Sequence, residues 1–191
     1  MLTIWEVIQI IVTIIAVGFI FSPLPFINFE IYDELGNSDK NRKRKIVLKM
    51  IGFGAAVAAP AVILHELAHK LLALHFGFSA TYFASWWGLS IGIFLKLLSS
   101  NFIFFVPGYV SISGIGTPIQ FGLVALAGPI TNLILFLIFT IFLSLNIAPK
   151  YQVIWALSKR INLWLFIFNM LPIPGLDGFK FYTSLLQTFV M

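Results

Sequence analysis

The chain has 191 residues, of which 60% are hydrophobic and 10% charged, with a formal net charge of +5. A water-soluble domain of this length is about a quarter charged, so most of this chain must sit in a non-aqueous solvent. There are no cysteines, which excludes disulfides and Cys-based zinc sites and leaves His, Asp or Glu to hold any metal.

Residues 3–21 are nearly all apolar and long enough to cross a bilayer as a helix, at about 20 residues per crossing. No small-residue cleavage site follows, so the run reads as an uncleaved anchor, with Glu6 and Gln9 close enough to its start to reach the interface. Ser22-Pro23-Leu24-Pro25 ends it. Residues 26–45 are polar and hold four of the seven acids: Glu30, Asp33, Glu34 and Asp39. Five of the twelve basic residues also cluster there (Lys40, Arg42, Lys43, Arg44 and Lys45). That is the pattern of a membrane-flanking loop and not of a nucleic-acid footprint.

A second helix is expected from about 46 to 76. Its first half carries Gly52, Gly54, Ala55, Ala56, Ala58, Ala59 and Ala61, small residues that let membrane helices pack closely. Residues 78–117 are apolar but broken by glycine, serine and aromatics, and read as short strands or a re-entrant hairpin, with Trp86 and Trp87 as interface anchors. Residues 118–146 form a third span and 152–171 a fourth, with Lys159 and Arg160 inside it or at its entry. The fourth ends at Leu171-Pro172-Ile173-Pro174-Gly175-Leu176-Asp177-Gly178, because two prolines two apart cannot continue a helix. Lys96 and Lys180 read as cations that snorkel to headgroups. The last dozen residues suit a short amphipathic helix. The expected fold class is an all-α polytopic membrane protein with about four spanning helices and a short membrane-embedded β or re-entrant region. It divides into an N-terminal helix and polar loop (1–45), a core (46–180) and a tail (181–191).

Past Met50 the chain has two acids, Glu66 and Asp177, both in apolar surroundings. An ionisable group at membrane depth is expensive and marks function. Glu66 lies in His65-Glu66-Leu67-Ala68-His69, a match to HExxH. Residues four apart share a helix face, so both imidazoles can grip one zinc ion while Glu66 takes a proton from a water that the metal acidifies. Catalytic zinc commonly has three protein ligands. His75 has the spacing of the metzincin third histidine, but Leu72 stands where that pattern needs glycine. On a continuing helix His75 lies about 9 Å along the axis from His69, at 1.5 Å per residue. No glutamate follows Glu66, which leaves Asp177, placed where the fourth helix unwinds.

At this point the sequence resembles the site-2 protease family of intramembrane zinc proteases. The resemblance rests on HELAH at 65–69 and on Asn169-Met170-Leu171-Pro172-Ile173-Pro174-Gly175-Leu176-Asp177-Gly178, which is similar to the family's NxxPxPxLDG element. Ala127-Gly128-Pro129 with Asn132 is similar to its third-helix motif. The resemblance implies zinc ligands His65, His69 and Asp177, and Glu66 as general base. It implies that Asn132 and Asn169 line the site and hold the substrate backbone or the oxyanion. Phe102–Ser113 resembles the family's membrane-embedded strand, an edge on which an unwound substrate could pair. The expected function is hydrolysis of peptide bonds in membrane-spanning protein substrates, in the cell membrane of a prokaryote, with the lipid bilayer as partner and no nucleic acid. The alternative is a non-hydrolytic protein that binds or transports divalent metal. A transporter would need polar groups strung along a path, whereas this sequence gathers them in one cluster.

Overall fold

A computed structural model describes residues 2–23, 40–98 and 106–190. Its elements are α1 (Ile4–Ile20), α2 (Lys40–His75), β1 (Ser79–Ala84), α3 (Trp86–Leu97), β2 (Gly108–Ser113), α4 (Pro118–Ser144), α5 (Gln152–Asn169) and α6 (Asp177–Val190), with a 3-10 turn at Pro149–Tyr151. Two helices are long and apolar enough to cross a membrane, Arg44–His75 and Pro118–Ser144. The expected polar loop at 26–45 falls mostly outside the described residues, as does the start of the expected strand at 102–113.

The chain divides into two compact units, Met1–Pro60 with Ala84–Gly108, and Ala61–Phe83 with Tyr109–Met191. In the first, α1 opens with a reciprocal cap. The Thr3 hydroxyl accepts from the Glu6 N–H, and the Glu6 carboxylate accepts from the Thr3 N–H at 2.9 Å. The buried face of α1 carries Glu6, Gln9 and Thr13, while Ile4, Val7, Ile8, Ile11 and Ile15 are exposed. This polarity is inverted relative to a helix in water, which turns its apolar stripe inward. Glu6 and Gln9 therefore do not reach outward as expected. Gln9 instead accepts from the Ala84 N–H at 2.9 Å.

The region expected to be strands or a hairpin holds a helix, α3, between its two strands. Ser85 caps α3 by accepting from the Gly88 N–H at 3.1 Å. Gly88, Gly92 and Lys96 recur every four residues and are buried, so the glycines that look like breakers form the inward stripe of the helix. Lys96 does not snorkel: it is 3% exposed and its ammonium donates to the Ser22 carbonyl. Trp86 and Trp87 are exposed.

In the second unit, β1 and β2 form a two-stranded sheet. Phe83 stacks on Tyr109 with ring centroids 5.7 Å apart, and two residues further on the Ser85 N–H donates to the Pro107 carbonyl, so the strands run antiparallel. Ala73, Phe78, Ala80 and Val124 form the core beneath the sheet. Lys70 is buried and donates to the Ala80 carbonyl at 2.7 Å, fastening α2 to β1. Helix α4 starts at a Thr117–Gln120 capping box and packs on both α5 and α6. Phe139 and Phe142 enclose Trp155, and the Lys159 ammonium lies 5.5 Å over the Phe136 ring.

The small residues of α2 set one close approach. A Cβ on Gly54 would overlap the Gly18 carbonyl oxygen and stand 2.7 Å from the Ser22 nitrogen, both backbone atoms that cannot swing aside. Gly54→Leu should destabilise the chain by about 1–3 kcal/mol through overpacking. Thermal unfolding in detergent checks this, and an unchanged midpoint would contradict the contact.

Candidate metal centre

His65 and His69 sit one turn apart on the last part of α2, each 6% exposed, with ring centroids 4.7 Å apart. The first turn of α6 supplies Asp177, delivered by a turn after α5 in which Pro172, Ile173, Pro174 and Gly175 are all exposed. The Asp177 Oδ2 atom lies 3.0 Å from His65 Nε2 and 3.1 Å from His69 Nε2, and the two Nε2 atoms are 3.1 Å apart. Among the described residues, these three are the only group of at least three His, Cys, Asp or Glu side chains close enough to hold one ion.

The protonation of both imidazoles follows from their partners. His69 Nδ1 is 2.7 Å from the Val124 carbonyl, which can only accept, so Nδ1 carries the hydrogen and Nε2 presents a lone pair. His65 Nδ1 is 2.6 Å from Asn132 Oδ1. The orientation of that amide is fixed at its other end: Asn132 Nδ2 donates to the Ala61 carbonyl at 3.0 Å and to Asn162 Oδ1 at 2.9 Å. The oxygen therefore faces His65 and accepts from it, and His65 Nε2 is likewise a lone pair. Two neutral nitrogens and a carboxylate oxygen then crowd one small volume, an arrangement that a cation resolves. Tetrahedral ligands about 2.0–2.1 Å from zinc stand about 3.3–3.4 Å from one another, close to these separations. The residues fit the metal.

Asp177 turns Oδ2 toward the two imidazoles. Its other oxygen, Oδ1, lies 3.4 Å from the Lys180 ammonium, whose side chain is 62% exposed, so the centre reaches the surface on this side. Lys180 thus meets Asp177, where the sequence suggested a headgroup. Glu66 is half-buried beside the pair, next in sequence to His65 on α2.

Of the residues singled out in the sequence, His65, His69 and Asp177 come together, and Glu66 lies beside them. His75 does not join; it is exposed at the end of α2 against the Phe76 ring. Asn132 is 0% exposed, and its contacts run to His65, Ala61 and Asn162. Both of its N–H groups are thereby used, in contrast to the oxyanion contact that the resemblance implies. Asn169 closes α5, half-buried, immediately before the turn that carries Asp177. Two further participants, Asn162 and Gly128, come from the structure. Asn162 is 0% exposed; the available signal was a carboxamide one turn from Ser158 within an apolar helix. In the sequence Gly128 is one member of the Ala127-Gly128-Pro129 motif. A Cβ there would strike His69 Nε2 and stand 2.6 Å from His65 Nε2, so the residue facing the ligand atoms must lack a side chain.

Gly128→Ala should therefore leave the helices folded and remove metal binding. Circular dichroism together with elemental analysis of the purified variant checks this, and full metal content would contradict it.

No family profile and no solved structure matches the chain. A Methanocaldococcus jannaschii protein named "Putative zinc metalloprotease MJ0611" is 35% identical over 178 residues, covering 92% of this chain and 82% of the relative. A Bacillus subtilis protein named "Putative zinc metalloprotease YwhC" is 38% identical over 73 residues, 33% of each chain. With HExxH and a converging carboxylate already in place, the first of these similarities decides the family: the chain belongs to the zinc metalloproteases of which the M. jannaschii protein is a relative.

Proposed function

We propose that this protein is an intramembrane zinc endopeptidase of the site-2 type, hydrolysing peptide bonds of membrane-spanning protein substrates. One observation carries the reading. The lone pairs of two imidazoles and one carboxylate converge beside a glutamate, in a chain that keeps Glu6, Gln9, Thr13 and Lys96 inside and leaves many of its Ile, Leu and Trp side chains exposed. Such inverted polarity suits a lipid solvent. In this reading α1, α2, α4 and α5 are the four crossings of a multi-pass protein of a prokaryotic cell membrane. The names of the relatives support zinc, and the donor set of two histidines and an aspartate suits it.

His65, His69 and Asp177 would hold the ion. Bound zinc would supply Lewis acidity at the scissile carbonyl and an acidified water for attack. Glu66, adjacent in sequence to one ligand, takes the proton of the attacking water and later delivers it to the leaving amine. Asn169, at the lip of the turn that delivers Asp177, offers a neutral N–H to the developing oxyanion. Water enters on the Lys180 side, where the centre meets the surface.

A single-span test substrate in detergent separates these roles. Glu66→Gln should keep its zinc and lose cleavage by roughly 10²–10⁴-fold, the usual worth of a general base. Equal cleavage by wild type and variant would sink the protease reading. Asn169→Ala should keep zinc and lower kcat by about 10²–10³-fold, as loss of an oxyanion donor does. An unchanged kcat would remove Asn169 from the site.

A further inference from the structure

We propose that Asn162 is a positioning residue for the metal centre, acting through Asn132 to hold His65 in the tautomer that can bind metal. The proposal rests on the reading of His65, His69 and Asp177 as metal ligands.

Four hydrogen bonds carry it, and two backbone carbonyls fix their directions. The Ser158 carbonyl can only accept, so Asn162 Nδ2 donates to it at 2.8 Å. That turns Asn162 Oδ1 toward Asn132, where it accepts from Nδ2 at 2.9 Å. The other N–H of Asn132 is taken by the Ala61 carbonyl at 3.0 Å, so Asn132 Oδ1 is left to accept from His65 Nδ1 at 2.6 Å. The relay begins at a backbone carbonyl on α5, crosses α4 and ends on the ligand histidine of α2. Asn132 and Asn162 are both 0% exposed and Ser158 is 1% exposed, so water cannot replace a missing partner cheaply. Were Asn162 apolar, one Asn132 N–H would be stranded. The amide would then be held by the Ala61 carbonyl alone, and its oxygen would sit less firmly against His65 Nδ1, weakening the hold on the hydrogen there. A ligating histidine depends in this way on what its other nitrogen meets.

The test measures zinc affinity of the purified chain in detergent by competition with a chromogenic chelator, with the visible spectrum of the cobalt-substituted protein as a second readout. Asn162→Leu keeps the size of the side chain and should weaken zinc binding by about 10–100-fold, the range seen when a partner of a ligand is lost. It should also lower kcat and leave KM unchanged. Asn162→Asp should restore binding: in these apolar surroundings the acid stays neutral, its C=O accepting from Asn132 and its O–H donating to Ser158. If Asn162→Leu does not fold, Asn162→Ala is compared with and without Asn132→Ala. Acting through Asn132, the second substitution should add no further loss, whereas additive losses overturn the proposal. Wild-type zinc affinity and cobalt spectrum in Asn162→Leu also overturn it, and leave the metal centre standing. A wild-type chain that binds no zinc overturns both.

Discussion

Three lone pairs aimed at one point govern this molecule. Brought within 3.0–3.1 Å, the two Nε2 atoms and Asp177 Oδ2 repel one another unless positive charge lies among them. Everything nearby serves to hold that arrangement. The Val124 carbonyl and the Asn132 oxygen keep hydrogens on the far side of both rings. Gly128 gives the rings room from α4. Helix α4 thus touches both histidines from behind and packs on α6, which carries the carboxylate.

A second constraint comes from the surroundings. In a chain this apolar, any polar group that turns inward must find a partner within the protein. The two buried lysines illustrate the solution: Lys70 donates to the Ala80 carbonyl and Lys96 to that of Ser22, so each ammonium ends on backbone oxygen. The amides of Asn132 and Asn162 are satisfied in the same manner. Polar residues in these helices are structural joints as well as chemistry, and their side-chain hydrogen bonds fix which faces meet.

Much of the site could be read from the sequence, because its geometry is local or its choices are few. Helical periodicity alone puts His65 and His69 on one face, and Asp177 is the last acid left to serve them. The helix boundaries at the caps and prolines were similarly accessible. Helix α3 was not, because Gly88 and Gly92 look like interruptions until the neighbour they admit is known. Nor was the inward direction of Glu6, Gln9 and Lys96, since an amphipathic side chain can satisfy itself outward or inward and only the tertiary contacts decide. The tautomer-setting bond from Asn132 is a contact across 67 residues, and the involvement of Asn162 across a further 30, beyond the range of any periodic signal.

The carboxylate of Asp177 lies 108 residues after His69, on a different helix. During synthesis, the imidazole pair emerges long before its third member. A nascent polypeptide halted anywhere ahead of that acid holds an incomplete chelate, with Glu66 poised beside nothing. Ordering along the gene thus delays assembly of the cutting apparatus until α4 and α5 have been made, and the ribosome itself acts as the timer.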